Sequence, residues 1–308
     1  MDDDDGERVM TTIFKRGGKE YWFDLLDTSP DTGFVPYRVY LTGTMNWGLA
    51  PLHRITQRGP FQNGDTDIDF RLDPRIISLP FVAPATSFTE SFNVREKILQ
   101  VFKPGNDIAQ LTFSTNSFAR QIDVQVVGGL TMDTDARDFT VRGVIQLRAA
   151  DPTWYDLYET TRYISGAAFG TPTPYPKPYP VPYGAGSINN IATINYLGSW
   201  PSFPRIQCTG PATDLTIVDG LGNIIQFDDP IPAGQIWTID LAYGKKSVVD
   251  QNGVNQFAAL NINSNLVNWG LYPDPTILNG TNTISVSASG TDTDSEVIMY
   301  YAARYIGV

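Results

Sequence analysis

The chain holds one histidine, His53, and one cysteine, Cys208, so Ser-His or Cys-His nucleophilic catalysis would have to run through that single imidazole. No Gly-x-Ser-x-Gly elbow accompanies it, and His53 reads as a surface or hydrogen-bonded side chain rather than a base. A lone cysteine rules out an intrachain disulfide and any zinc site built on two or more thiolates of this chain. The stretch NGDTDID (63–69) has the Asp-x-Asp-x-Asp rhythm of a calcium loop. A loop starting at Asp65 needs Gly at its sixth position and Glu at its twelfth, where Phe70 and Ile76 stand. GTDTDSE (290–296) reads as an acidic turn before a last strand. Two distant carboxylates can serve glycoside hydrolysis, but no stretch marks a pair among the 33 acids. Phosphate loops and dinucleotide fingerprints are missing from the sequence. The expectation is a non-enzyme with no cofactor and no metal.

The elements that would position such groups are strands. Residues 123–127, 139–147, 215–218, 235–241, 282–287 and 297–301 alternate polar with apolar side chains, the period of half-buried strands. Between them stand turn dipeptides that tolerate positive φ: Asp219-Gly220, Gly222-Asn223, Tyr243-Gly244, Asn252-Gly253 and Asn279-Gly280. Helical periodicity is scarce, and EKILQVF (96–102) fits two helical turns or a strand. The six tryptophans stand mostly beside apolar strand residues or turns and read as core. The fold class is all-β, of sandwich or barrel type.

Composition narrows the partners. A chain of 308 residues suits two domains, and 42% hydrophobic against 18% charged residues suits packed ones. The net charge of −11 argues against nucleic acid and anionic membrane surfaces, because binding them needs clustered Lys and Arg. No apolar run reaches the length of a membrane span. The acidic start MDDDDGERVM does not suit a secretory signal, so residues 1–9 are expected to be a disordered acidic tip on a cytosolic product. From Ser187 onward four basic residues face ten acidic ones, while arginine gathers in the first half.

That contrast places a boundary near the tract TPTPYPKPYPVPY (171–183), where every even position from Pro172 to Pro182 is proline. Alternating prolines restrict each residue to extended geometry, giving a rod of about 37 Å. Its two-residue spacing contains no PxxP ligand. Two readings remain open. One is a stiff spacer between domains; the other is an arm whose Tyr175, Tyr179 and Tyr183 dock on a neighbouring subunit. The expected organisation is a tip at 1–9, a β domain at 10–160, a Pro/Tyr-rich linker or arm at 161–190 and a β-sandwich at 191–308.

An ordered series of short stretches resembles the distal tail proteins of siphovirus-type bacteriophages, with gene transfer agents using similar parts. In the first half these are GPFQNG (59–64), FRLDPRIISL (70–79), REKIL (95–99), FKP (102–104), LTF (111–113), RQI (120–122), VIQL (144–147) and DPTWYD (151–156). In the second they are NYLGSWPSFP (195–204), GP (210–211), DLAYGKKSV (240–248), DQNG (250–253), residues 266–273, NGTNTIS (279–285) and YYAARY (300–305). The resemblance implies a tube-protein-like β-sandwich or barrel that forms a ring, usually hexameric, followed by a galectin-like, carbohydrate-module-like β-sandwich. It implies a virion component at the distal end of the tail, assembled in the bacterial cytoplasm, with the tail tube protein and the tail-tip hub or baseplate as partners. The alternative is a carbohydrate-binding or host-adhesion module. The galectin sugar set of His, Asn, Arg and Trp-x-x-Glu-Arg has no counterpart in a second half that lacks histidine and has Glu296 as its sole glutamate, so sugar binding does not transfer. Ring closure needs a heterologous contact repeated about an axis. Arg54, Arg58, Arg71 and Arg75 are the candidate interface residues, with ordinary intrachain ion pairs as the competing reading.

Overall fold

The computed structural model describes residues 11–24, 34, 37–135, 137–166 and 186–308. The acidic tip and the proline tract, with Tyr175, Tyr179 and Tyr183, lie outside the described residues. The chain divides into two compact units, Met1–Leu157 with Tyr305–Val308, and Tyr158–Arg304.

The first unit opens with a hairpin, β1 (Thr11–Arg16) and β2 (Lys19–Asp24). Its turn is Gly17-Gly18, both at positive φ (56° and 76°), where a side chain would be strained. Then come β3 (Tyr40–Leu41), β4 (Leu52–Gln57), β5 (Thr66–Leu72), β6 (Arg75–Ala83), helix α1 (Phe88–Val101), β7 (Ala109–Ser114), β8 (Ala119–Val126), β9 (Thr131–Thr134), β10 (Val141–Ala149) and β11 (Trp154–Asp156). One large antiparallel sheet runs β2-β1-β7-β8-β10-β6-β3, with β9 on β10 and β11 on β8. Strands β4 and β5 pair with each other, apart from it.

Alternation decides which side chains enter the core. Ala109, Leu111 and Phe113 of β7 and Ile77, Leu79, Phe81 and Ala83 of β6 point inward. Phe14, Phe23, Phe34 and Phe102 form an aromatic cluster, with Phe14 and Phe102 centred 4.7 Å apart. Full burial stabilises by about 1.5–3 kcal/mol for each such ring. The stretch 96–101 is helical, with Phe102 as the C-cap. Helix α1 begins at an N-cap, Ser87, whose hydroxyl accepts from the Glu90 backbone N–H at 3.1 Å. The Glu90 carboxylate in turn accepts from the Thr86 backbone N–H and hydroxyl, which lowers its pKa. Ser91, Val94, Ile98 and Val101 turn into the core.

The second unit is a two-sheet sandwich. Its strands are β12 (Thr160–Gly166), β13 (Gly186–Asn195), β14 (Arg205–Thr209), β15 (Thr213–Val218), β16 (Ile224–Gln226), β17 (Ile236–Asp240), β18 (Ser247–Asp250), β19 (Thr281–Thr291) and β20 (Glu296–Tyr301). One sheet runs β12-β20-β14-β17-β18 and the other β13-β19-β15-β16. Ile206, Cys208, Ile217, Trp237, Ile239, Ile284, Val286, Val297 and Met299 fill the interior. Burial pushes the Cys208 thiol up to about 12, so the thiolate is suppressed.

Between β18 and β19 the backbone is irregular and is held by buried and half-buried polar side chains. Asn282, with 0% exposure, donates to the carbonyls of Tyr272 and Gly280 at 2.8 and 2.9 Å and accepts from the Tyr272 N–H at 2.9 Å. The Asp219 carboxylate accepts from the backbone N–H groups of Leu221, Asn223 and Gly270. Lys246 donates to the carbonyls of Leu241, Leu266 and Val267, and burial lowers its pKa.

The strand ends correct the spacer reading. β12 pairs with β20 and β13 pairs with β19, so Gly166 and Gly186, the described residues that flank the tract, stand on strands of the same unit. A spacer between domains would have its ends in different units. The stretches 160–166 and 186–190, expected at the edge of the first domain and in the linker, are strands of the second unit. The last four residues, expected in the second domain, belong to the first unit.

Candidate assembly surfaces

The hairpin β4–β5 carries three of the four candidate interface arginines. Arg54 and Arg58 stand on β4 and its turn, and Arg71 on β5, opposite His53. Arg54 reaches Asp67 at 3.2 Å with both side chains exposed, a pair worth at most about 1 kcal/mol. The Asp69 carboxylate accepts from the Phe70 N–H at 2.7 Å. Among the described residues no group of three or more His, Cys, Asp or Glu is placed to hold a metal ion. His53 sits on this exposed hairpin, whereas Cys208 is buried in the second unit.

The register pairs Leu52 with Leu72, Arg54 with Phe70, Ile55 with Asp69 and Thr56 with Asp67, with a bulge at Ile68, so charged and apolar side chains share the faces of the hairpin. Leu52, Ile68 and Phe70 are all exposed. At the tip Gln62 ties the loop together: its side chain accepts from the Gly59 N–H at 2.9 Å and donates to Thr66 Oγ1 at 2.8 Å. This lacing holds Phe61 at φ 63°, a conformation that L residues with large side chains rarely adopt. Its ring is fully solvent-exposed.

Arg75 is placed differently from the other three arginines. It is fully buried and donates to the carbonyls of Asn46 and Trp47 at 3.2 Å and of Ile306 at 2.5 Å. Burial lowers its pKa. Arg120 makes a second anchor: it donates to the Gly307 carbonyl at 2.9 Å and lies 3.6 Å over the Tyr305 ring. Arg75 therefore spends its Nη1 and Nη2 donors inside its own unit, holding the returning tail, and offers no surface to a neighbour.

Helix α1 has a second apolar stripe that sequence reading missed. Phe88, Phe92 and Leu99 are each at least half exposed, with Arg95 completing the i, i+4, i+7, i+11 spacing of one helical face. The Phe88 and Phe92 rings meet edge-on at 4.8 Å, and the Arg95 guanidinium lies 6.0 Å from the Phe92 centroid. The spacing was present in the sequence. So was the capping signal, Ser87 followed by Glu90 three residues later.

At the helix end, Arg16 grips Asp107 at 2.5 and 2.7 Å and donates to the carbonyls of Val101 and Lys103. The bidentate hydrogen bond from Arg16 holds the Asp107 carboxyl down at about 2. A concavity of about 720 Å3 on this unit is lined by Phe81, Met132, Gly143 and Val144, with Asp133 and Arg142 as its ionisable groups. Arg142 is already engaged by Asp135 and Asp138 at 3.4 and 3.5 Å.

The outer faces of the second unit are polar. On β19 the outward row is Thr281, Thr283, Ser285, Ser287 and Ser289, and beside it on β13 lie Ser187, Asn189, Ile191, Thr193 and Asn195. On the other sheet, Arg205 covers the Tyr300 ring at 4.7 Å and pairs with Glu159 at 3.2 Å, while the Tyr300 hydroxyl donates to Gln207. The Tyr300 ring is thus occupied by an intrachain network, whereas Tyr163 of β12 on the same sheet stays exposed. Among the described residues no helix is long and apolar enough to cross a membrane.

Neither the protein-family models nor the curated proteins contain a match to this sequence. Solved structures do match. The SPP1 Dit protein, described as a paradigm of the hub adsorption apparatus in phages infecting Gram-positive bacteria, aligns with a TM-score of 0.62 at 12% identity, covering 96% of this chain and 99% of its own. Chains of the phage P2 baseplate in its activated conformation, with calcium or with strontium, align at TM-scores of 0.43 and 0.41, each at 12% identity. They cover 97% and 95% of this chain and 100% and 98% of their own. Over nearly its whole length, then, this all-β chain shares the fold of the SPP1 Dit protein.

Proposed function

We propose that the chain is a non-catalytic structural component of a phage-type virion, a distal tail protein. Its first unit closes into a ring, hexameric as in the resembling family, that joins the tail tube to the tail-tip hub or baseplate. The observation that carries this reading is the fold likeness to the SPP1 Dit protein, which extends through both units rather than one. The partners are further copies of the chain, the tail tube protein and the hub; the location is the distal end of the tail, after assembly in the host cytoplasm. Exposed apolar elements on the first unit support a role exercised through surfaces. Arg54, Arg58 and Arg71 are proposed at the ring contact. The tract with Tyr175, Tyr179 and Tyr183 is proposed as an arm, a reading supported by its two ends lying in one unit.

The test is the mass of the full-length protein by light scattering, alone and with purified tail tube protein, with negative-stain images of the same fractions. Rings with a central channel are expected. A chain that stays monomeric in both mixtures overturns the proposal.

A further inference from the structure

The chain has three Asn-Gly pairs, Asn63-Gly64, Asn252-Gly253 and Asn279-Gly280. In a free peptide such a pair readily loses its side-chain amide, because glycine has no side chain to keep its backbone nitrogen away from the asparagine side-chain carbon. The dipeptide is the same in all three places, so any difference in fate comes from the fold. At Asn279 the fold blocks the reaction. The Gly280 N–H donates to the Ile277 carbonyl at 2.9 Å, and the Gly280 carbonyl accepts from the Tyr196 N–H and the Asn282 side chain, each at 2.9 Å. Gly280 is buried, with no room even for a methyl group beside the Tyr196 carbonyl. At Asn252 the pair is exposed but tied down by Asp250. The Asp250 carbonyl accepts from the Gly253 N–H at 3.0 Å, and its carboxylate accepts from the N–H groups of Asn252 and Val254 at 2.8 and 2.9 Å.

Asn63-Gly64, at the tip of the β4–β5 hairpin, has neither restraint. Both residues are exposed, and among the described residues no acceptor takes the Gly64 N–H. Gly64 stands at φ 79° with open space where a Cβ would be. Gln62 laces Gly59 to Thr66 around the pair without bonding either member of it. We infer that Asn63 is a site of spontaneous covalent modification in the folded protein. The Gly64 nitrogen gives its proton to solvent and attacks the Asn63 side-chain carbon; the bond from that carbon to the amide nitrogen breaks, and ammonia leaves with a proton from solvent. Water then opens the succinimide ring at either carbonyl, giving aspartate or isoaspartate. One water enters, one ammonia departs, and nothing is oxidised or reduced. The product adds a negative charge beside Asp65, and isoaspartate also adds one carbon to the backbone of the tip. The site is set by local geometry and does not depend on what the chain assembles with.

The test incubates the full chain at neutral pH and physiological temperature, digests it at mildly acidic pH and follows the three peptides by mass spectrometry, with isoaspartate read by enzymatic methyl labelling. Asn63 should convert at least about tenfold faster than Asn252, with Asn279 slowest, because a hydrogen-bonded turn must first open locally. In urea, where the turns are gone, the three rates should agree within about threefold. Asn63→Gln, an exposed substitution that lengthens the attacking ring, should leave the melt unchanged and remove the signal from its peptide. A folded chain in which Asn252 or Asn279 keeps pace with Asn63 overturns the inference, as does one in which Asn63 keeps its amide while the urea sample converts. A signal that persists in the Asn63→Gln peptide overturns the assignment to Asn63. An order of rates that is unchanged in urea overturns the fold as its cause.

Discussion

Regular elements of the first unit turn Ile68, Phe70, Phe88, Phe92 and Leu99 toward water, whereas the broad outer face of the β13–β19 pair turns out hydroxyls and amides around a single Ile191. In the second unit the other large exposed apolar groups, such as Leu197, Ile262 and Leu278, stand mostly on loops and turns. Scattered residues of that kind are ordinary; a contiguous patch on a rigid element is not. Apolar area removed from water contributes roughly 25 cal/mol per Å2, while a hydroxyl leaving water for another hydroxyl gains little. The first unit therefore holds a driving force for lasting contact, and the second has a face built to stay wet.

The comparison is tested most severely at the buried arginine. Arg75→Ala removes three hydrogen bonds from a charged donor and leaves a cavity, so it should cost about 3–5 kcal/mol. Hydrogen exchange read by mass spectrometry should locate the loss in peptides of the first unit; equal loss in both units would break the two-unit description. In the second unit, Asn282→Ala leaves buried groups of Tyr272 and Gly280 unsatisfied and should cost about 2–3 kcal/mol in urea titration, with protection lost around residues 266–291.

A smaller effect is tied to pH. Because Asp107 is held at about 2, below its unfolded value, its contribution is present at neutral pH and is lost as pH falls. The gap in melting temperature between wild type and Asp107→Asn should narrow below about pH 4 and close only as pH falls below about 2. A gap at pH 2 as wide as that at neutral pH would sink this assignment. The smallest expected change is Ser285→Lys on the outer face of β19, within about 0.5 kcal/mol and without effect on association. If that lysine blocked assembly, the wet face would be an interface and the contrast between the units would fail.

Much of this architecture was legible because period two survives in the sequence wherever one strand face is buried. The alternation at 139–147, 235–241 and 282–287 corresponds to β10, β17 and β19. Helix α1 was half hidden, because apolar groups on two of its sides blur a single helical face. The first unit ends at Leu157, close to the expected boundary at 160, but the pairing of the stretch that follows was hidden for a topological reason. Nothing local in 160–166 records that its partner is β20, more than a hundred residues later. Arginine clustering suggested four alike residues, yet burial depends on what packs above each one, and only the fold separates Arg75 from Arg54, Arg58 and Arg71. The exposed stripe of α1 was written in the sequence, but amphipathic spacing does not say which apolar face will find cover within the chain.

The return of Tyr305–Val308 to the first unit bears on the order in which the molecule can be made. A ribosome delivers the whole second unit between the strands of the first and the residues that complete it. Until Ile306 and Gly307 emerge, Arg75 and Arg120 lack the carbonyls that fix them. A nascent chain thus carries a first unit that stays unfinished until the second unit has been made.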